Sequence, residues 1–193
     1  PDGRCALLAL GLAAVLAGEK PVLAALIDQW RAEDLNALND GDAVGSWTSL
    51  SNRTVTGGIG LQPILKKNAS PAGGAVARFN QSFMTTTNSP LGGATAFSIA
   101  VVFQATAAGA GTDTNPWYQC TGLVDAKGVA SITTDWGTVF NGSGHVAIGS
   151  GSPDTTTPSS GASLLDGSFH VAVFTWGGGS QSVYVDKRLG VTR

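Results

Sequence analysis

Two β-rich runs joined by glycines constrain this chain more than any other feature. Phe169-His170-Val171-Ala172-Val173-Phe174-Thr175 is β-branched, aromatic or small throughout, Gly177-Gly178-Gly179 follows, and Ser182-Val183-Tyr184-Val185-Asp186 resumes the same character. Such residues fit a pleated surface, and a glycine turn between two such runs predicts an antiparallel hairpin. Phe169, Val171 and Val173 alternate with His170, Ala172 and Phe174. One face of the hairpin is therefore expected in a core and the other partly covered by a second sheet, which makes the hairpin the centre of a β-sandwich.

The rest of the composition agrees. With 193 residues the chain is long enough for one domain with a sizeable core and too short for two full sandwiches. Only 12% of residues are charged, 27 are glycine and the sole glutamates are Glu19 and Glu33, which suits turns between strands better than surface helices. A net charge of −2 without a basic cluster leaves no footprint for nucleic acid or an anionic membrane surface. Cys5 and Cys120 are too few for a disulfide framework, and a single bridge between them stays open. A Ser/Thr/Gly-rich β protein of this kind fits a secreted or cell-surface location. Asn52, Asn68, Asn80 and Asn141 each open an Asn-x-Ser/Thr site, which matters only in a glycosylating host.

The first 29 residues stand apart. Cys5 to Gly18 is almost wholly apolar, with Arg4 before it, and a second apolar run spans Pro21 to Ile27. The first run has the shape of a secretory signal, yet its roughly 13 apolar residues are too few to cross a hydrocarbon core of about 30 Å. Three readings stay open: a buried or docked helix pair, a retained export signal, or a segment that docks on a neighbouring subunit.

From Trp30 onward a pattern emerges. Trp30-Arg31-Ala32-Glu33-Asp34-Leu35 leads through the Asn39-Asp40-Gly41-Asp42 turn to a candidate strand over Val44–Leu50 containing Trp47. Gln62-Pro63-Ile64-Leu65, Ala75-Val76-Ala77-Arg78-Phe79 and Ala96-Phe97-Ser98-Ile99-Ala100-Val101-Val102-Phe103 then follow as strands, before Gly122–Asp125, Asp135–Gly137, His145–Gly149 and the hairpin. In this order they resemble the concanavalin A-like, laminin-G-like jelly-roll domains of bacterial surface proteins. The resemblance covers Trp30 to Asp186 and implies an all-β, two-sheet antiparallel jelly-roll sandwich over residues 30–193. Two departures stand out. Lys187 follows Tyr184-Val185-Asp186 where the family places glycine, which predicts a different or looser turn. The family also continues for another strand or two, so the sandwich is expected to lack its last strand, unless the N-terminal segment or another chain supplies it at an open edge.

No catalytic signature emerges. The Glu-x-Asp-x-x-Glu strand that places two carboxylates about 5 to 5.5 Å apart in retaining glycosidases is absent, and Glu19 and Glu33 both precede the sheets. Gly142-Ser143-Gly144 lacks the spacing of a nucleophile elbow, and His145 and His170 lack zinc spacing; His170 is expected to be partly buried and hydrogen-bonded across the sandwich. Function is expected in the two long loops, Ala105–Asn115 and Gly149–Gly161. Calcium, which the resemblance implies, has candidate ligands in Asp113, Asp154 and Asp166, with Asn115 and Thr155 adding oxygens; the simpler alternative is that Asp113 and Asp154 shape turns. For a glycan, Trp117 and Tyr118 are the best placed aromatics, although core is the preferred reading of Trp117, and Trp30, Trp47, Trp136 and Trp176 are read as core. The expected role is a non-catalytic extracellular recognition or adhesion module for glycan or surface protein. The alternative is a structural subunit of a surface filament or particle, a homo-oligomer built through the N-terminal segment and an open sheet edge.

Overall fold

The computed structural model describes residues 26–87, 90–91, 94–126, 135–151 and 155–192. The first apolar run, with Cys5, and Asp154 lie outside them. Leu26 and Ile27, the only described residues of the second apolar run, are exposed and belong to no helix. Among the described residues, regular structure is almost wholly strand: twelve strands in four antiparallel sheets, with two short 3₁₀ turns. The all-β expectation is met. Contacts divide the chain into two compact units between Pro90 and Leu91.

In the first unit, a 3₁₀ turn at Ala32–Leu35 precedes two small hairpins. β1 (Ser46–Thr48) pairs with β2 (Thr54–Thr56), and β3 (Ile64–Lys66) pairs with β4 (Val76–Arg78). The Asn-Asp-Gly-Asp turn forms as its residues require: Gly41 takes a φ of 88°, and the Asp42 carboxylate accepts from the Asn39 amide at 2.7 Å. Leu35, Val44 and Leu65 form the core, with Trp47 and Met84 packed against it. Each such buried aliphatic contributes about 1.5–3 kcal/mol. Asp28 fixes the entry to this unit: it accepts from the Gln29 and Ser51 amides and faces Arg53 at 3.1 Å, an ion pair rather than an aligned hydrogen bond. Burial disfavours its charge, but the bonds from Ser49, Gln29 and Ser51, with Arg53 behind them, hold its carboxyl below the ordinary range.

The second unit holds β5 (Ala96–Gln104), β6 (Thr121–Ala126), β7 (Trp136–Phe140), β8 (Val146–Ser150), β9 (Thr155–Pro158), β10 (Phe169–Gly177), β11 (Ser180–Val185) and β12 (Arg188–Thr192). One sheet runs β12-β11-β10-β5, the other β6-β7-β8-β9. Their inner faces share one core: Phe140, Val146 and Ile148 from the second sheet meet Ala172, Phe174 and Val183 from the first. The arrangement is sandwich-like. On β10 the buried set is His170, Ala172 and Phe174, whereas Val171 is exposed and Phe169 and Val173 are half-buried. Inner-face aromatics close both ends of the core. Phe97 meets Trp136 and Trp176 at centroid distances of 5.0 and 5.7 Å, and Phe103 meets Phe140 at 5.8 Å.

Three local expectations change. The span Gly149–Gly161 is not one long loop, because β8 runs through Ser150 and Thr155–Pro158 returns beside it as β9. Thr54–Thr56 is a strand that threonine-rich composition concealed. After Asp186 the chain turns at once into β12: Val185 pairs with Arg188, so the connection has two residues, Asp186 and Lys187, with φ of 48° and 71°. That is a tight primed turn, reached with a lysine in left-handed backbone.

Candidate functional site

Phe103 touches the Phe140 ring and, at 5.9 Å, the His170 ring. The end of β5, the β7–β8 turn and the start of β10 therefore share one rim of the second unit, and the chain's two histidines both lie there, each with aspartate.

The first cluster joins Asp113, from the loop after β5, to Asn141 and His145, from the β7–β8 turn. Asn141 is 1% exposed. Its amide donates to Asp113 Oδ1 at 2.7 Å, while its Oδ1 accepts the Ser143 and His145 amides at 3.0 Å each. His145 Nδ1 lies 2.9 Å from both Asp113 oxygens, and Nε2 lies 3.2 Å from the Gly161 carbonyl. Both partners only accept, so the two bonds are made together only by a ring protonated on both nitrogens. Burial works against the Asp113 charge; the bonds from His145 and Asn141 outweigh it and hold the carboxyl below the ordinary range.

The second cluster ties both ends of the hairpin to one imidazole. His170 Nδ1 lies 2.8 Å from Asp186 Oδ2, just past β11, and Nε2 lies 3.1 Å from Asp166 Oδ1, just before β10. Asp186 also accepts from the Val171 amide, and Asp166 from the Ser168 amide at 2.7 Å. The ring is 8% exposed, and burial alone would lower its pKa. The carboxylates of Asp186 and Asp166 reverse that and raise it above the ordinary 6.5. These partners flank His170 in its own sheet, so the expectation of a bond across the sandwich is corrected.

Beside the rim, the loop between β5 and β6 folds onto the outer face of the second sheet. Trp117, in the 3₁₀ turn Trp117–Gln119, is 3% exposed and packs on Val139 and Ala147. Glycines make the room. A Cβ built on Gly137 would lie 2.5 Å from Trp117 Cε3, and one on Gly149 would lie 2.5 Å from Trp117 Cβ and nearer still to the indole. The loop is fastened at further points: the Trp117 amide donates to Thr156 Oγ1 at 2.9 Å, Ala110 to Thr121 Oγ1 at 2.8 Å, and Gly142 to the Gly111 carbonyl at 2.8 Å. Tyr118 stays 43% exposed, edge-on to Trp117 at 6.0 Å. Next to it, Asn115 accepts from the Thr112 amide and hydroxyl at 2.9 and 2.8 Å and donates to Gln119 Oε1 at 2.8 Å.

No family model matches the chain, and no curated protein matches it.

The expected site residues thus separate. Trp117 is buried and offers no platform, which corrects its candidacy as a ligand contact; core, the preferred reading, is what the fold uses. Tyr118, Asn115 and Asp113 share one loop. Thr155 starts β9, opposite Ser150. Asp113 and Asp166 face separate histidine donors, and among the described residues no group of three or more His, Cys, Asp or Glu side chains gathers to hold a metal. Cys120 carries a free thiol on the Trp117 cluster, and burial first, then the Asp113 charge, pushes its pKa up. The signals that would have located Trp117 are Gly137 and Gly149, since glycine inside a strand marks close approach of another group.

Proposed function

We propose that this chain is a concanavalin A-like, laminin-G-like recognition module of jelly-roll type, acting outside the cell, which binds glycan through the Thr112–Gln119 loop. The observation that carries the reading is Tyr118: an exposed aromatic ring fixed from beneath by buried Trp117, with the amides of Asn115 and Gln119 beside it. Sugar recognition needs an apolar ring face with hydrogen-bonding groups alongside, and a loop already held in place loses little entropy on binding. We read the rim as non-catalytic because both nitrogens of His145 and of His170 already face acceptors. A general base needs a nitrogen within reach of the substrate's proton.

The test is a glycan array probed with the full chain, followed by titration of any hit. Tyr118→Ala is expected to weaken binding about tenfold or more, from the roughly 1–3 kcal/mol that an exposed aromatic contact supplies. No hit on the array, or a hit unaffected by Tyr118→Ala, overturns the proposal.

A further inference from the structure

A backbone amide fixes the hydrogen-bond polarity of the groups beside Tyr118. The Thr112 amide can only donate, so the atom it meets at 2.9 Å is the Asn115 side-chain oxygen, and the way Asn115 faces is set. The Thr112 hydroxyl donates to the same Oδ1 at 2.8 Å, which fills both of its lone pairs. Asn115 Nδ2 then meets Gln119 at 2.8 Å, and because Nδ2 only donates, Gln119 turns Oε1 towards it. Gln119 Nε2 is left with two N–H donors and no hydrogen-bond partner among the described residues. Gln119 is exposed and directly follows Tyr118, whose ring is 43% exposed. This end of the loop therefore offers a ligand an aromatic ring with N–H donors next to it.

We propose that the sugar recognised here carries an acetamido group, whose carbonyl accepts from Gln119 Nε2 while its methyl packs on the Tyr118 ring; this rests on the glycan reading above. A sugar hydroxyl both donates and accepts, so it meets either polarity and gives no preference. An amide carbonyl only accepts, so it suits donors whose direction is already set, and the bond forms without reordering the loop. The methyl adds apolar area against the ring, which a hydroxyl does not. A carboxylate also only accepts, but its charge sets it apart. Residues 105–120 contain no lysine or arginine, and they do contain Asp113. The Asp113 charge reaches this end of the loop: after burial, it is what pushes up the thiol pKa of Cys120, the residue following Gln119. A sugar acid would meet that field unpaired, whereas a neutral acetamide does not.

The test is titration of the full chain, followed by NMR, with methyl glycosides in the gluco, galacto and manno series: the 2-hydroxyl parent, its 2-acetamido counterpart and its uronic acid. In a series that binds, the acetamido sugar is expected to bind about fivefold or more tighter than the parent, and the uronic acid no tighter than the parent. Gln119→Glu keeps the side-chain length and still accepts from Asn115 but has no N–H to give. It is expected to bring the two neutral sugars within about twofold of each other while the parent still binds. Gln119→Met repeats the test without a new charge. Binding that ignores Tyr118→Ala overturns the glycan reading and this proposal together. Binding through Tyr118 in which the parent or the uronic acid equals the acetamido sugar, or a preference that both Gln119 variants keep, overturns this proposal alone. No binding in any series also overturns it, and takes the glycan reading with it if the array is blank as well.

Discussion

Gly149→Ala should destabilise the second unit, although alanine in place of strand glycine ordinarily helps by about 0.5–1 kcal/mol. The reason is Trp117. Ordinary contact starts near 3.4 Å and the new Cβ would sit 2.5 Å from Trp117 Cβ, so the indole and its backbone must retreat by about 0.9 Å. Overpacking of this kind costs about 1–3 kcal/mol. Removing the whole side chain, in Trp117→Gly, costs at least the loss of a buried tryptophan, about 3–5 kcal/mol. With the indole and the Cβ both gone the clash disappears, and Gly149→Ala should then stabilise by its ordinary increment. The sign of one substitution therefore reverses between two backgrounds, which additive effects cannot produce. Urea unfolding followed by hydrogen exchange of peptides spanning β7 and β8 reports on this unit alone. If Gly149→Ala lowers stability equally with and without Trp117, the indole does not lie over the glycine and the account of the loop fails.

Other predictions follow from the rim and its turns. Lys187→Gly should raise stability by about 0.5–1 kcal/mol, because the left-handed cost at this turn exceeds glycine's entropic penalty; a lower midpoint in urea would contradict it. His170 has a raised pKa, so its contribution is complete below 6.5 and fades as pH climbs through the raised value; Asp166 and Asp186 are lowered, so theirs is complete above 3.8 and fades as pH falls through the lowered values. Wild type should therefore exceed His170→Gln in stability most between 3.8 and 6.5, and a difference that grows toward alkaline pH refutes the clamp. Asn141→Ala leaves the Asp113 carboxylate and the Ser143 and His145 amides short of partners and should cost about 1–3 kcal/mol in thermal unfolding. In a glycosylating host, peptide mass spectrometry should find modification at exposed Asn52, Asn68 and Asn80 but not at Asn141, which is 1% exposed.

What the sequence made legible was whatever alternated strongly. β5 and β10 place a large or aliphatic residue on the inner face at every second position, and both strands were apparent with nearly their observed limits. β2 and β9 were hidden because Thr-Val-Thr and Thr-Thr-Thr-Pro carry little apolar contrast, so hydroxyl-rich strands look like linkers. The Asp–His pairs could not be read in advance, since Asp113 and His145 lie 32 residues apart and meet only through the fold of two separate loops. Trp117 stayed open between core, the preferred reading, and ligand contact for a related reason: a tryptophan next to a polar loop looks accessible until the two glycines beneath it are known to lie side by side on β7 and β8.

The fastening of the Thr112–Gln119 loop separates what this segment must be from what it is free to become. Its position is fixed by Trp117, by backbone bonds and by Asp113 reaching Asn141, whereas Thr114, Tyr118 and Gln119 face outward. Changing them gives up at most the exposed bonds of Thr114 with Thr112 and of Gln119 with Asn115, and leaves Trp117 and the Asp113–Asn141 tie in place. A lineage could retarget such a module by drift at its loop tip while its folding machinery stays under separate selection, and a library randomised there should keep most members folded.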